Sequence, residues 1–390
     1  MFFMRYPRLG LAAAAMILLA PVTPAAAAPA AAWSQDGYDA GHTFYNPAEA
    51  VINSTTIGKL RTRWSVTPRT NPGGCALQPV APVVVGARMF LLDPYENQVG
   101  AYDTTTGRRL WTSSIGFLEA TGLAVADGKV VVSDEKCFSQ SSDSSNLVAL
   151  DVADGSEVWS TSWVYSTDMF VVSGGAVVTS GHCSVECDPD DAHAVAAWRL
   201  SDGAMLWERA AGTQLAGPVV RNGQILLTST ELQGTSVVDA YTGNPPAKDW
   251  HTGIRYTVSA ADPVLPQYYV HSSLGLRAVH ATTGRILWTV RNETGDLATD
   301  GRRVYVASAG RIATYDARTG RKLWTRALAT PGNLVRAGGL LYATSRTALL
   351  VLAPTSGTTV RTFGTATEHV TVAGGRLFVT NRRTVRAYTP

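Results

Sequence analysis

The sequence predicts an all-β protein: an eight-bladed β-propeller of four-stranded antiparallel blades, the last blade closed by N- and C-terminal strands. Three observations predict it. A phrase made of a turn aspartate, a turn glycine and a tryptophan recurs along the chain, as in Ala101 to Trp111, AYDTTTGRRLW. A second phrase, a glycine turn followed by a β-rich run, recurs ahead of it. And the two ends of the chain each carry an incomplete set of strands that completes the other.

The first phrase reads as a strand end, a tight turn and an outgoing strand. Asp103 can bond backbone two residues on, Gly107 supplies the positive φ, and Trp111 is an apolar anchor. Copies end at Trp159, with Asp151 and Gly155; at Trp207, with Gly203; at Trp288, with Gly284; and at Trp324, with Asp316 and Gly320. Degenerate copies run from Asp239 to Trp250 and from Val351 to Phe363. The seven turn glycines, Gly107, Gly155, Gly203, Gly243, Gly284, Gly320 and Gly357, have a mean spacing of about 42 residues. A period of about 40–45 residues with four short strands per unit marks a propeller blade. The second phrase, at Gly86, Gly128, Gly223, Gly301, Gly339 and Gly375, supplies strand A, turn and strand B. The tryptophan phrase is then strand C, turn and strand D.

Leu60 to Val66 is an isolated strand carrying Trp64 where strand D should have it. Val370 to Tyr388 supplies strands A, B and C with nothing after them. Joining the two makes an eighth blade and removes an open sheet edge. The expected blades run 79–115, 119–165, 167–211, 214–253, 256–291, 296–328, 331–364 and 367–390 with 59–67. Each tryptophan can bury about 150–250 Å², enough to organise packing between blades.

The pattern Ala-x-Asp-x-x-Thr-Gly-x-x-x-Trp, met at every fixed position by Ala101 to Trp111, resembles the tryptophan-docking motif of the pyrroloquinoline-quinone (PQQ) repeat family. That repeat builds the eight-bladed quinoprotein dehydrogenases and the propeller lipoprotein of outer-membrane assembly. The resemblance covers roughly residues 33–390 and implies the fold; the motif itself is structural in that family. Quinoprotein dehydrogenases hold PQQ with calcium or a lanthanide, a catalytic aspartate and, in the alcohol dehydrogenases, adjacent cysteines. No two cysteines are adjacent here, and no ligand of that cofactor maps onto a residue of this chain. Residues 33–58 are similar to the start of mature quinoproteins, through Trp33, Gly37, Asn46, Ile57, Leu60 and Trp64. They read as a lead-in crossing the bottom or rim of the disc.

Residues 1–28 read as a signal peptide: Arg5 and Arg8, a short apolar run from Leu9 to Leu19, then small residues with several Ala-x-Ala sites. No cysteine follows the run, so the expectation is an exported, secreted protein and not a lipoprotein, with no stable membrane span. Residues 29–58 are then the lead-in and 59–390 the propeller. The chain is 45% hydrophobic and 16% charged with 36 glycines, which suits a large all-β domain. A net charge of +3, with basic residues scattered over turns, makes no electrostatic case for a nucleic-acid partner, and none is expected.

Four cysteines in an exported chain should pair. Cys75 precedes the first strand A, and Cys137 lies in the neighbouring blade's B–C loop on the same face. Cys183 and Cys187 share one loop. The expected bridges are Cys75–Cys137 and Cys183–Cys187. That last loop, Gly181 to His193, also carries Glu186, Asp188, Asp190 and Asp191; the three aspartates are candidate calcium ligands, although the spacing is not that of an EF-hand and Pro189 limits convergence. His182 and His193 flank the loop and read as exposed polar residues, and His280 replaces a turn aspartate. Motifs for dinucleotide binding, nucleophilic serine, zinc proteolysis and haem attachment are absent from the sequence. Glu119, Asp168 and Glu368 are dispersed acids placed in D–A connections. The leading expectation is a monomeric binding or scaffold module, without catalysis or cofactor, contacting a protein or cell-surface polymer by its loop face. A PQQ- and Ca²⁺-dependent oxidoreductase and a hydrolase or lyase acting on extracellular polymer stay open beside it.

Overall fold

The computed structural model describes residues 32–67, 81–93, 98–115, 119–135, 144–183, 192–210, 217–229, 233–245, 250–381 and 384–390. They form eight antiparallel sheets arranged as propeller blades. Blade 1 contains Val83–Val85, Arg88–Asp93, Gln98–Asp103 and Arg109–Ser114, called strands A to D from the centre outward. Blades 2 to 7 repeat the order and end at Trp163, Ala210, Thr252, Arg291, Ala327 and Phe363. Blade 8 takes A to C from His369–Ala373, Arg376–Asn381 and Thr384–Thr389, and D from Arg61–Val66. Trp64 lies opposite Ala387, so the two ends close the ring as the orphan strands required. Among the described residues no helix is long and apolar enough to cross a membrane.

The turn chemistry is local. Asp103 Oδ1 accepts bonds from Thr105 N at 3.0 Å and Thr106 N at 2.8 Å, and Gly107 turns with φ +71°. His280 does the aspartate's work in blade 5, accepting from Thr282 N at 3.3 Å. In seven blades the C–D ladder slips by one residue directly before the tryptophan position, as at Leu110, Val158 and Leu287. Such a bulge leaves one residue unpaired and re-aims its neighbour. The tryptophan then lies on the turn glycine of the next blade. A Cβ on Gly155 would sit 2.5 Å from the Trp111 ring, and one on Gly107 would sit 2.7 Å from Trp64. Each indole N–H donates to a carbonyl of that same turn: Trp64 to Thr104 at 3.1 Å, Trp159 to Leu200 at 2.9 Å, Trp288 to Ala317 at 3.0 Å.

The degenerate seventh copy needs a correction. Register places Arg361, not Phe363, opposite Val351 and therefore at the tryptophan position. Blade 8 has no C–D turn for a tryptophan to cover, because its C and D strands come from opposite chain ends. Arg361 instead donates to the carbonyls of Ile57 and Leu60 and lies 4.3 Å over the Phe363 ring.

The lead-in does not run along the rim. It threads the ring of inner strands at their A–B-turn ends, touching every blade in order. Trp33 exchanges two backbone bonds with Val84 of blade 1 (2.7 and 2.8 Å), and Ser34 O accepts from Val125 of blade 2 at 2.7 Å. The Gln35 amide bonds both backbone groups of Val172 in blade 3. The carbonyls of Ala40, Gly41, Thr43 and Phe44 accept from Val220, Ala261, Thr299 and Arg336 of blades 4 to 7. Tyr45–Asn46 adds a parallel strand to blade 7. Asn46 Nδ2 donates to Val372 O at 2.8 Å, and Glu49 Oε2 accepts from Gly375 N at 3.0 Å, both in blade 8. Every inner strand has an unpaired edge facing the axis, and this segment satisfies part of each one.

Candidate binding face

With the lead-in at one mouth of the channel, the opposite face, built by D–A and B–C connections, is the accessible one. Function on a propeller usually sits on its connecting loops. Four inner strands carry bulges near this face, in blades 2, 3, 5 and 7. Those at Asp168 in blade 3, Ser259 in blade 5 and Gly332–Asn333 in blade 7 present a polar side chain to an imidazole. Asp168 Oδ1 lies 2.6 Å from His182 Nδ1, Ser259 Oγ lies 2.8 Å from His271 Nδ1, and Asn333 Nδ2 donates to His369 Nδ1 at 3.2 Å. Burial pushes the His271 and His369 imidazoles below their ordinary range, against the pull of nearby carboxylates, so both are neutral at neutral pH.

A cleft of about 1320 Å³ opens on this face across blades 6 to 8. Its lining includes Ser308, Asn333, Arg346, Glu368, His369 and Asn381. Arg346 is exposed at its edge. Behind Ser308 a rigid cluster supports the wall. Glu293, 2% exposed, accepts from Ser308 at 2.6 Å, from Arg311 at 2.8 and 2.9 Å, and from the Tyr315 hydroxyl. Burial raises the Glu293 pKa, but these donors outweigh it and the net shift is downward. On blade 2, Asp134 accepts from Asn146 N at 2.8 Å and is 1% exposed. Burial pushes its carboxyl up to about 6 despite that bond.

The acids read from the sequence as dispersed stay dispersed. Glu119 opens strand A of blade 2 and Asp168 lies within strand A of blade 3, rather than in D–A connections; Glu368 immediately precedes strand A of blade 8. His182 is not a free surface residue: it is bonded to Asp168, and its side chain is 37% exposed. Cys75, Cys137, Cys187, Asp188, Asp190 and Asp191 lie outside the described residues. Sequence reasoning missed the roles of Asn333, His271 and His369, because a one-residue bulge in strand A leaves no periodic trace; the burial of Asp134 left none either.

A family model described as outer membrane protein assembly factor BamB matches residues 53–172, 143–363 and 272–389, which together span most of the chain. The chain belongs to this family of PQQ-repeat propellers. Escherichia coli BamB is 30% identical over 159 residues, covering 38% of this chain and 36% of that protein. A 1-butanol dehydrogenase (cytochrome c) of Thauera butanivorans is 30% identical over 154 residues, covering 38% of this chain and 21% of that protein. The matches therefore span about a third or less of these relatives' length. Among solved structures, BamB of Moraxella catarrhalis superposes with a TM-score of 0.63 at 20% identity, covering 85% of this chain and 98% of that one. A quinohemoprotein alcohol dehydrogenase of Comamonas testosteroni gives 0.63 at 14% identity, covering 92% and 80%. At such identities the superpositions speak for the fold.

Proposed function

We propose that this protein is an exported, non-catalytic binding module that engages a protein partner through its loop face, with the cleft over blades 6 to 8 as the principal contact. The observation that carries this is the asymmetry of the disc: the lead-in occupies one mouth of the channel, while the other bears an open cleft lined with hydrogen-bonding side chains. Polar, adaptable walls of this kind suit a peptide backbone, whose N–H and C=O groups need partners when desolvated. The likeness to an assembly factor supports a protein as the partner.

The butanol dehydrogenase match favours a second reading, a quinoprotein oxidoreductase. PQQ is a planar tricarboxylate and calls for cationic partners and a metal ligand set. The cleft lining offers one arginine, Arg346, beside a neutral His369. Among the described residues no group of three or more His, Cys, Asp or Glu side chains converges on a metal position. The described part of the face does not fit that group, and no step is derived through it.

Two experiments separate the readings. A photo-crosslinking residue placed at Arg346 or Thr384 should capture a partner in the cell envelope, while one placed at Val158 on the rim should not; equal capture at all three positions overturns the binding proposal. The purified protein should keep no PQQ after incubation with quinone and Ca²⁺ and removal of the excess. Stoichiometric retention together with alcohol- or sugar-dependent dye reduction promotes the oxidoreductase.

A further inference from the structure

Blade 3 carries a side-chain arrangement on the loop face that the binding reading does not use. His182 and His193 are the facing residues at the loop ends of strands B and C, the terminal pair of that ladder. Cross-strand neighbours have Cβ atoms about 4.5–5.5 Å apart and point to the same side of the sheet. Here that side faces blade 4, the same side as Val178 and Val195, which pack there. The two imidazole rings lie 6.4 Å apart, centroid to centroid, at an angle of 48°. Two rings ligating one ion through nitrogen bonds of about 2.0–2.1 Å have centroids about 6.4 Å apart when trans, as in a tetragonal Cu²⁺ site, and about 5.2 Å apart at a tetrahedral angle, which these rings reach by moving about 1 Å together.

The outer partners are also in place. Asp168 Oδ1 sits 2.6 Å from His182 Nδ1 and fixes that nitrogen as the donor, which leaves the Nε2 lone pair turned away from the carboxylate. A carboxylate behind a histidine in this way is the usual outer-shell partner of a metal-ligating imidazole, and it both orients the ring and raises its basicity. The bulge in strand A is what brings Asp168 there. His193 Nδ1 is buried and has no hydrogen-bond partner. A buried ring nitrogen without a partner carries a free-energy cost that a bound cation removes.

We propose that His182 and His193, with Asp168 as the orienting carboxylate, form a site for a borderline divalent transition metal, Zn²⁺ or Cu²⁺. Imidazole selects these ions over Ca²⁺ and Mg²⁺, which take oxygen donors. With two protein ligands the site holds the ion with open positions for water.

The test uses the untagged full chain, titrated with ZnCl₂ by calorimetry and with CuSO₄ by electron paramagnetic resonance. One equivalent should bind, and the Cu²⁺ spectrum should show coupling to two nitrogens. His182→Ala and His193→Ala should each weaken binding at least about tenfold and reduce the coupling to one nitrogen. Asp168→Asn should weaken it about 10–100-fold while both nitrogens remain, the signature of an orienting residue. His251→Ala, a histidine of blade 4, should leave binding unchanged. Unfolding temperatures measured without metal identify any variant whose loss of binding is a loss of fold. Failure of either ion to saturate at one equivalent overturns the site, as does a two-nitrogen spectrum that persists in the His182→Ala/His193→Ala double variant.

Discussion

Replacing Asp134 by asparagine should stabilise the protein, and more so at alkaline pH. Asp134 lies in a row across blade 2, opposite Asn146, which in turn accepts a bond from Ser162 at 2.8 Å. Its carboxyl is raised to about 6 from the ordinary 3.8, with burial as the first cause and the Asn146 bonds opposing it. A raised acid pKa means the folded state holds the proton more tightly than the unfolded chain. The charge therefore destabilises the fold fully above the folded value, and the cost falls away as pH drops through 6 toward 4. Two units at about 1.4 kcal/mol each give about 3 kcal/mol at pH 8 and about half of that at pH 5. Asparagine keeps the acceptor for Asn146 N and removes the charge. Urea unfolding of both proteins at pH 5 and 8 should show the variant's advantage growing by about 1–1.5 kcal/mol between the two. An advantage that does not change with pH, or a variant less stable at pH 8, refutes the burial argument.

Gly155→Ala should cost at least about 2 kcal/mol, because a Cβ there meets the Trp111 ring at 2.5 Å and the backbone φ is +78°; Gly128→Ala, at φ +72° with open space around it, bears the backbone strain alone and should cost less in the same thermal melt. The Glu293 carboxyl is held below its ordinary range, so its contribution is present above the unfolded pKa and is lost as pH falls through the folded value. Wild type should therefore lose stability between pH 5 and 3 faster than Glu293→Gln, and parallel curves would contradict the assigned role of the Ser308, Tyr315 and Arg311 donors. Peptide mapping without reduction should recover Cys75 joined to Cys137 and Cys183 joined to Cys187; Cys75 joined to either of the others sinks that pairing.

The blade count and the ring closure were readable because a repeat writes the same physical solution several times over. Trp64 announced its blade although its own strands A to C lie more than 300 residues away. What could not be read were the departures from the repeat. Arg361 stands where a tryptophan should, and only the broken C–D turn of blade 8 explains it. The lead-in has no period, since each of its residues answers a different blade. The imidazole contacts at Asp168, Ser259 and Asn333 depend on bulges, which shift side chains without altering the alternation that a sequence reading relies on. The loop face was legible as the binding side, and Asp168, His182, His193 and Glu368 could be seen as residues, but not the partners that the bulged strands give them.

The threaded lead-in also sets an order of events for a chain made from its N-terminus. Residues 33–49 emerge before any of the blades, yet the groups that hold them are spread over all eight, and the Asn46 bond to Val372 spans 326 residues. The loop-closure entropy of such contacts is spent late, after the intervening strands exist. This early segment therefore gains its contacts blade by blade, and its set is complete only when the final blade has formed. A shortened chain lacking blade 8 would lose the bonds of Asn46 to Val372 and Glu49 to Gly375 and would leave Arg61–Val66 as an unpaired strand, open to solvent and to other copies. Completion of the C-terminus is in this sense the step that seals the N-terminus.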